Sequence, residues 1–146
     1  MKGMASFSQS GVYAQEAFRH LLESESRRSE LSDRFYQIIL VYCTDAQDRI
    51  VQMDSTVART VMSALSRSLR ETDYTGWYHD EHIVGAVLTV LSEESMMQVA
   101  GHVQKRLGEI LQSELGIEER RRLQIQVCLH HELRGIKLGE KPFAIS

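Results

Sequence analysis

The chain has 146 residues, of which 42% are hydrophobic and 25% charged, and this balance is typical of a single globular domain. Its 17 basic and 20 acidic residues give a net charge of −3, so it lacks the basic surface that binding to nucleic acid or an anionic membrane requires. Residues 1–10, MKGMASFSQS, have no apolar h-region, so we expect no secretory signal there, and the apolar runs fall well short of the roughly 20 residues of a membrane span. We therefore expect a cytoplasmic domain without direct membrane insertion, either alone or as the soluble part of a larger membrane-associated protein.

A lead-in helix is predicted over residues 9–34, after a disordered N-terminus at residues 1–8. Its apolar residues recur at spacings of three and four and so share one face: Tyr13, Ala17, Phe18, Leu21 and Leu22. The opposite face and the end of the helix are highly charged. Two interpretations stay open, a solvated face with intrahelical ion pairs and a signalling or dimerising helix.

The strongest predicted strand is 35–44, where both alternating sets of residues are apolar. Such a strand is covered on both faces and lies centrally in a sheet. Cys43 falls in this run and Cys128 in a later one, so both are expected to be buried free thiols. A helix follows, with Asp54 or Ser55 as its N-cap, an apolar stripe from Val57 to Leu69 and an end near Arg70.

A β-hairpin is predicted next, with a strand from Thr72 to Tyr78, a polar turn at 79–82 and an apolar strand over 83–91. Gly76 inside the first of these strands indicates a bulge or a close approach of two backbones. The adjacent Trp77 is expected to mark either the core or a surface for a partner.

The remaining pattern predicts a helix that Ser92 caps and that ends near Leu115, with Gly116 at the C′ position. A charged loop at 118–122 and an alternating, half-buried strand at 123–130 follow. Residues 133–146 are predicted to be an extension or linker, whose last five residues either add an edge strand or fray. The order βαββαβ after the lead-in helix predicts an α+β, ferredoxin-like antiparallel sheet with helices on one face.

The hairpin also carries a resemblance. Residues 70–73, RETD, fit an arginine-x-x-aspartate motif, Tyr78 fits the tyrosine that follows it, and residues 79–83, HDEHI, fit a five-residue signature. In this layout the chain resembles the GGDEF family, the diguanylate cyclase domains, over roughly residues 15–132. The resemblance implies the GGDEF, or nucleotide cyclase-like, fold over residues 35–132, which agrees with the plan that periodicity predicts.

The signature itself departs from the active pattern, so the resemblance is to a degenerate member. Glu81 and Ile83 are compatible with it, but His79 and Asp80 replace two glycines and His82 replaces an acid. Active members need glycine where backbone approaches the substrate and carboxylates where magnesium binds.

The segment after the first strand departs as well. Asp45 and Asp48 follow that strand at the wrong spacing for the family's metal-binding aspartate. Only about 25 residues separate Thr44 from Arg70, so the first of the family's two helices is expected to be shortened or lost. We therefore expect no catalytic residues, no metal, no cofactor and no enzymatic activity.

Arg70 and Asp73 are the sharpest candidate site. In the resembled family this pair binds cyclic di-GMP, for which arginine offers a fork of donors to phosphate and guanine. The alternatives are an Arg–Asp bridge that closes the helix-to-strand turn, or Arg70 as a cation at a helix C-terminus. A ligand site of this kind usually needs a second arginine, for which Arg106 and the run 120–122 are candidates.

His79 and His82, with a neighbouring carboxylate, allow two interpretations, a zinc site and a solvated polar turn. The resulting functional prediction is a catalytically inactive regulatory or interaction domain in bacterial signalling, with a protein partner or as a homodimer. The resemblance further implies a link to exopolysaccharide synthesis. The alternative function is a cyclic di-GMP receptor that binds through Arg70 and Asp73.

Overall fold

The computed structural model describes residues 12–31, 35–70, 73–90 and 93–128. In chain order the elements are β1 (Val12–Tyr13), α1 (Gln15–Leu31), β2 (Phe35–Thr44), β3 (Ile50–Val51), α2 (Ser55–Ser68), β4 (Tyr74–His79), β5 (Ile83–Val90), α3 (Glu93–Glu114), α4 (Ile117–Arg122) and β6 (Leu123–Cys128). The predicted disorder at 1–8 and the predicted extension at 133–146, with its edge strand, lie outside the described residues.

The sheet is mixed, with β2 at its centre. Strand β2 pairs antiparallel with β5 on one side and with β6 on the other, and β5 pairs antiparallel with β4. At the far edge β1 runs parallel to β4, with Val12 opposite Thr75. The α+β fold class and the predicted βαββαβ order are confirmed, and the four strands of that plan, β2, β4, β5 and β6, pair antiparallel as predicted. The parallel pair is made by β1, which lies where the lead-in helix was predicted. Strand β1 has two residues, too few for any alternation to be visible in the sequence.

Helices cover both faces of the sheet, because successive side chains of β2 point in opposite directions. Ile39 and Val41 pack against α2 and α3, whereas Ile38 and Leu40 pack on the side of α1. The two helices of the predicted βαββαβ plan, α2 and α3, lie on one face as predicted, and the other face is covered by the lead-in helix α1, whose place on the sheet the sequence did not predict. The apolar stripe of α1 was recognised in the sequence, and it covers the second face of the sheet through Phe18, which is fully buried.

Two glycines directly opposite each other, Gly76 on β4 and Gly85 on β5, make room for the ring of Phe18. A Cβ at Gly76 would lie 2.6 Å from Phe18 Cδ1, and a Cβ at Gly85 would lie 2.9 Å from Phe18 Cε2. The close approach predicted at Gly76 is confirmed, and an irregularity in strand pairing lies between Trp77 and His79. Trp77 itself is half-buried against the core formed with α2 and α3.

Between β2 and β4 the described residues contain one helix, α2, and the short strand β3 lies where the sequence left the chain unassigned. Strand β3 pairs antiparallel with the end of β2, Thr44 opposite Ile50. The described residues thus hold one helix where the resemblance implies two. The predicted helix N-cap is confirmed, since Asp54 accepts a hydrogen bond of 3.0 Å from the Thr56 N–H.

The ends of several elements differ from the prediction. Helix α1 begins at Gln15 and β4 at Tyr74, and β4 includes His79. The charged loop predicted at 118–122 is helix α4, which has no buried residue to give it an apolar stripe. Gly116 precedes it at φ −70°, so it is the N-cap of α4 and not a left-handed C′ residue.

Cys43 is a buried free thiol, as predicted, and burial raises its pKa. For the side chain of Cys128 the same prediction lies outside what the structure describes. Over the described ranges, no helix combines the length and the apolar character that crossing a membrane requires.

Candidate functional site

The turn between β4 and β5 is formed by Asp80, Glu81 and His82, which we call the signature turn. His79 is the last residue of β4, and its carbonyl accepts a 3.0 Å hydrogen bond from the His82 N–H. Glu81 has φ 63°, in the left-handed region, which costs a non-glycine residue on the order of 1 kcal/mol. Such a conformation persists only where surrounding contacts hold it.

Those contacts come from two neighbouring segments. The Asp80 N–H donates to Gln15 Oε1 at the start of α1, at 2.6 Å. On the other side, the Glu81 carbonyl accepts from the Met53 N–H at 2.8 Å, and Gln52 Nε2 donates to Glu81 Oε1 at 2.7 Å. The polar groups at the centre of the signature turn are therefore bonded within the chain.

The two histidines flanking the turn contact each other. Their rings lie 5.3 Å apart at 78°, and His82 Nδ1 is 2.9 Å from the Asp80 carbonyl oxygen. Within the described ranges no three His, Cys, Asp or Glu side chains come together as metal ligands. The zinc interpretation of this cluster thus gains no support from the geometry.

The loop after β2 is closed by its own aspartate. Asp45 Oδ1 accepts from the N–H groups of Gln47 and Arg49, both at 2.9 Å. The hydrogen bond from Arg49 is the main reason why the pKa of Asp45 is lowered. Its neighbour Asp48 is left-handed, at φ 64°. The carboxylate of Asp45 is thus committed to a local turn.

Two open clefts lie near these segments. One, of about 690 Å³, lies beside the contact between α1 and the signature turn. Its polar lining residues are Gln15, Glu16, Arg19, His20, Glu23 and Asp80. The other, of about 490 Å³, lies between the loop after β2 and the start of β6 and is lined by Thr44, Asp45, Asp48, Arg121, Arg122 and Gln124. Each mixes acidic with basic side chains.

Arg70 and Asp73 are brought together by the turn that joins α2 to β4. Arg70 Nε donates to Asp73 Oδ2 at 3.0 Å and Arg70 Nη2 to Asp73 Oδ1 at 2.9 Å. The backbone N–H of Arg70 also donates to Oδ2, at 3.0 Å, and that of Thr89 to Oδ1, at 3.3 Å. Both oxygens of Asp73 therefore accept two hydrogen bonds each, which uses the capacity of a carboxylate.

The two side chains differ in exposure. That of Asp73 is wholly buried, and that of Arg70 is 45% exposed. Arg70 Nη2 also donates to the Thr89 carbonyl on β5, at 2.6 Å, and the bond to Asp73 raises the pKa of Arg70. The pair closes the helix-to-strand turn, which is one of the roles the sequence left open. Of the three nitrogens of the Arg70 guanidinium, Nε and Nη2 have hydrogen-bond partners, and Nη1 has none among the described residues.

The candidate second arginines lie at opposite ends of the sheet. Arg106 on α3 donates from Nε to the carbonyl of Arg67, in the last turn of α2, at 3.3 Å. The run 120–122 lies by the far end of β2, where Arg122 Nε donates to the Thr44 carbonyl at 3.3 Å. Arg106 is therefore on the side of Arg70, and the run is not.

Three residues that contact the hairpin were missed by sequence reasoning. They are Gln15, Gln52 and Arg19, which donates from Nε to the Tyr78 carbonyl at 2.9 Å and whose guanidinium carbon lies 4.5 Å from the centre of the Tyr78 ring. This last contact is a cation–π interaction. Each is a single polar residue on a helix or loop, and nothing in its sequence neighbourhood distinguishes it.

No protein-family model matches the chain, and no curated protein matches it. Among solved structures it is similar to a DGC protein from Thermotoga maritima, with a TM-score of 0.57 and 18% identity over 80% of this chain and 79% of that one. It is also similar to the diguanylate cyclase SiaD from Pseudomonas aeruginosa, whose structure was solved in complex with its activator SiaC. There the TM-score is 0.60 and the identity 19%, over 86% of this chain and 50% of the other.

At these identities the similarities establish the fold. The chain has the α+β fold of diguanylate cyclase, or GGDEF, domains, with a mixed six-stranded sheet. It spans half the length of the SiaD chain. The fold leaves open what the site does, because one fold serves many functions.

Proposed function

We propose that this chain is a non-catalytic, GGDEF-like domain that acts in bacterial signalling by contacting a protein partner or a second copy of itself. The observation that carries the proposal is the bonding of the signature turn to Gln15, Gln52 and Met53. A cyclase must let backbone approach the nucleotide closely at this turn. Here the Asp80 N–H is already bonded, and side chains occupy the positions of the two glycines.

The arrangement of carboxylates further supports the absence of catalysis. Magnesium requires several oxygen ligands around one point. The carboxylate of Glu81 accepts from Gln52, and that of Asp45 accepts from two amides of its own loop. Within the described residues no group of ligands converges on a metal position.

A protein partner is proposed because one of the similar solved structures is a complex with a second protein. SiaD was solved in complex with its activator protein, SiaC. We extend to this chain only the general point that a protein containing this fold can act with a protein partner. The link to exopolysaccharide synthesis stays a prediction, because none of the described contacts bears on it.

An assay of turnover tests the proposal. The purified chain is incubated with GTP and Mg²⁺, and cyclic di-GMP is quantified beside an active diguanylate cyclase. We expect product at the level of a protein-free control. Product that increases with protein concentration and disappears in a Glu81→Gln variant would contradict the proposal.

The alternative function, a cyclic di-GMP receptor, is favoured by one observation: Arg70 is 45% exposed and Arg106 lies on its side of the molecule. Because all acceptor positions of Asp73 are occupied, Asp73 would orient Arg70 and leave the ligand to the arginines. Calorimetric titration with cyclic di-GMP tests this, with Arg70→Ala and Arg106→Ala as probes and the exposed Arg59→Ala as a matched control. Binding lost in both probes and kept in the control supports a receptor, and no binding by the folded parent chain excludes it.

A further inference from the structure

We propose that α1 and the signature turn form one coupled unit, in which the seating of α1 on β4 and β5 sets the conformation of the turn and of the Gln52–Met53 segment beyond it. The inference rests on the proposed function, because a regulatory domain needs an element that receives a signal and one that passes it on. Here α1 is the element that receives the signal, and the signature turn is the element that passes it on.

We call the place on β4 and β5 where Phe18 packs the seat of α1, and this packing fixes the register of the helix on the two strands. Phe18 fills the space above Gly76 and Gly85, with atoms so close that a Cβ on Gly76 would lie within 3 Å of the ring. Leu22, one helical turn further on, is also buried. A shift of α1 along the strands would move the ring out of the only space that the paired glycines leave, so small displacements are costly.

Polar contacts attach both ends of this seat to β4. At the end nearer the signature turn, Gln15 bonds the Asp80 N–H and Arg19 bonds the Tyr78 carbonyl. At the other end, Glu25 is buried and accepts from the Tyr74 hydroxyl at 2.8 Å. The position of α1 is therefore transmitted to the strand that leads into the turn.

The signature turn also contacts the segment that leads into α2. Glu81 bonds the side chain of Gln52 and the backbone of Met53, and the next residue, Asp54, is the N-cap of α2. Since Glu81 is held at φ 63°, loss of the contacts on either side allows it to return to a negative φ. That rotation would turn its carbonyl away from Met53. The turn would then have two conformations, of which the contacts on both sides favour the observed one.

The test measures amide hydrogen exchange in the full chain, with the Met53 N–H as readout. This amide bonds the Glu81 carbonyl and touches neither Gln15 nor Arg19. In a Gln15→Ala, Arg19→Ala double variant we expect its exchange to rise roughly five- to tenfold, as for the loss of one hydrogen bond. A matched variant on the same helix, Glu16→Ala with His20→Ala, should leave it unchanged.

Coupling of this kind must act in both directions. Gln52→Ala removes the side-chain contact to Glu81 on the other side of the turn and should raise exchange of the Phe18 N–H, which bonds the Ala14 carbonyl. If Met53 is unaffected by the double variant, or Phe18 by Gln52→Ala, the coupling is overturned. Should the double variant not fold, the Gln52→Ala arm decides. Failure of the proposed function is seen separately, as turnover of GTP, because the exchange readout involves no nucleotide.

Discussion

Asp73 holds the guanidinium of Arg70 through two parallel hydrogen bonds of 3.0 and 2.9 Å, although Asp73 is wholly buried and Arg70 nearly half exposed. The same carboxylate also accepts the backbone N–H groups of Arg70 and Thr89. It thereby joins the end of α2, the start of β4 and the end of β5. The two residues of the motif thus have different roles. Asp73 binds backbone N–H groups of two segments, whereas Arg70 lies over the buried carboxylate and is partly exposed to solvent.

This inequality predicts different costs for removing each partner. Asp73→Ala leaves two backbone N–H groups and a guanidinium without their acceptor, and should lower the free energy of unfolding by about 2 to 3 kcal/mol. Arg70→Ala leaves the carboxylate with its backbone donors, and because Arg70 is partly exposed we expect about 1 kcal/mol. Urea unfolding of both variants at neutral pH measures the two values. Equal costs would mean that the ion pair, and not the backbone bonds, dominates.

The close contact of Gly76 with Phe18 predicts that Gly76→Ala is destabilising. The new Cβ would meet Phe18 Cδ1 at 2.6 Å and the Tyr13 carbonyl oxygen at 2.8 Å, so strand and helix must separate. We expect a loss of about 1 to 3 kcal/mol in the free energy of unfolding, typical of overpacking.

Gly101 in α3 is the matched control for this substitution. No atom lies within 4 Å of a Cβ built at Gly101, and the residue is exposed. Gly101→Ala should therefore stabilise the chain by about 0.5 to 1 kcal/mol through helix propensity. Thermal unfolding of the two variants should shift in opposite directions, and a neutral Gly76→Ala would argue against the described seat of α1.

The lowered pKa of Asp45 predicts that the chain loses stability in acid. Hydrogen bonds from Arg49 and Gln47 favour its ionised form and lower its pKa in the folded chain. Its contribution is therefore complete above the ordinary pKa of 3.8 and is lost as pH falls through the lower, folded value. Asp45→Asn keeps an acceptor oxygen but removes this pH dependence, whereas Asp45→Ala loses the turn at every pH. Unfolding of the three chains between neutral pH and pH 3 distinguishes them, and an acid profile of Asp45→Asn identical to that of the parent would contradict the assignment.

The central part of the fold was predictable because burial leaves periodic traces. Both faces of β2 carry mostly apolar side chains, and Phe35–Thr44 was predicted to the residue. Strands β1 and β3 have two residues each, too short for a pattern, and α4 is a charged segment without an apolar stripe. Strand β1 forms by pairing with the distant β4, whereas β3 pairs with the nearby end of β2 and α4 is capped by its own Glu119. Each is too short to leave a periodic pattern in the sequence.

The candidate site divides in the same way. Arg70 and Asp73 are three residues apart at a helix end, so their contact could be anticipated as one of the open alternatives. Gln15 and Asp80 are 65 positions apart and meet only because α1 covers the second face of the sheet. Since the sequence did not place the lead-in helix on either face of the sheet, this contact, and with it the attachment of the signature turn, could not be predicted.

The measurement that tests the absence of nucleotide binding at the signature turn most directly is a titration of the ¹⁵N-labelled chain with GTP and Mg²⁺, followed by NMR. If the turn is bonded to α1 and to the Gln52–Met53 segment, the amide signals of Asp80, Glu81, His82 and Met53 should keep their positions at millimolar nucleotide. An active diguanylate cyclase domain provides the positive control. Saturable shifts at these four amides would mean that nucleotide displaces the internal contacts, and would contradict the non-catalytic function proposed for this chain.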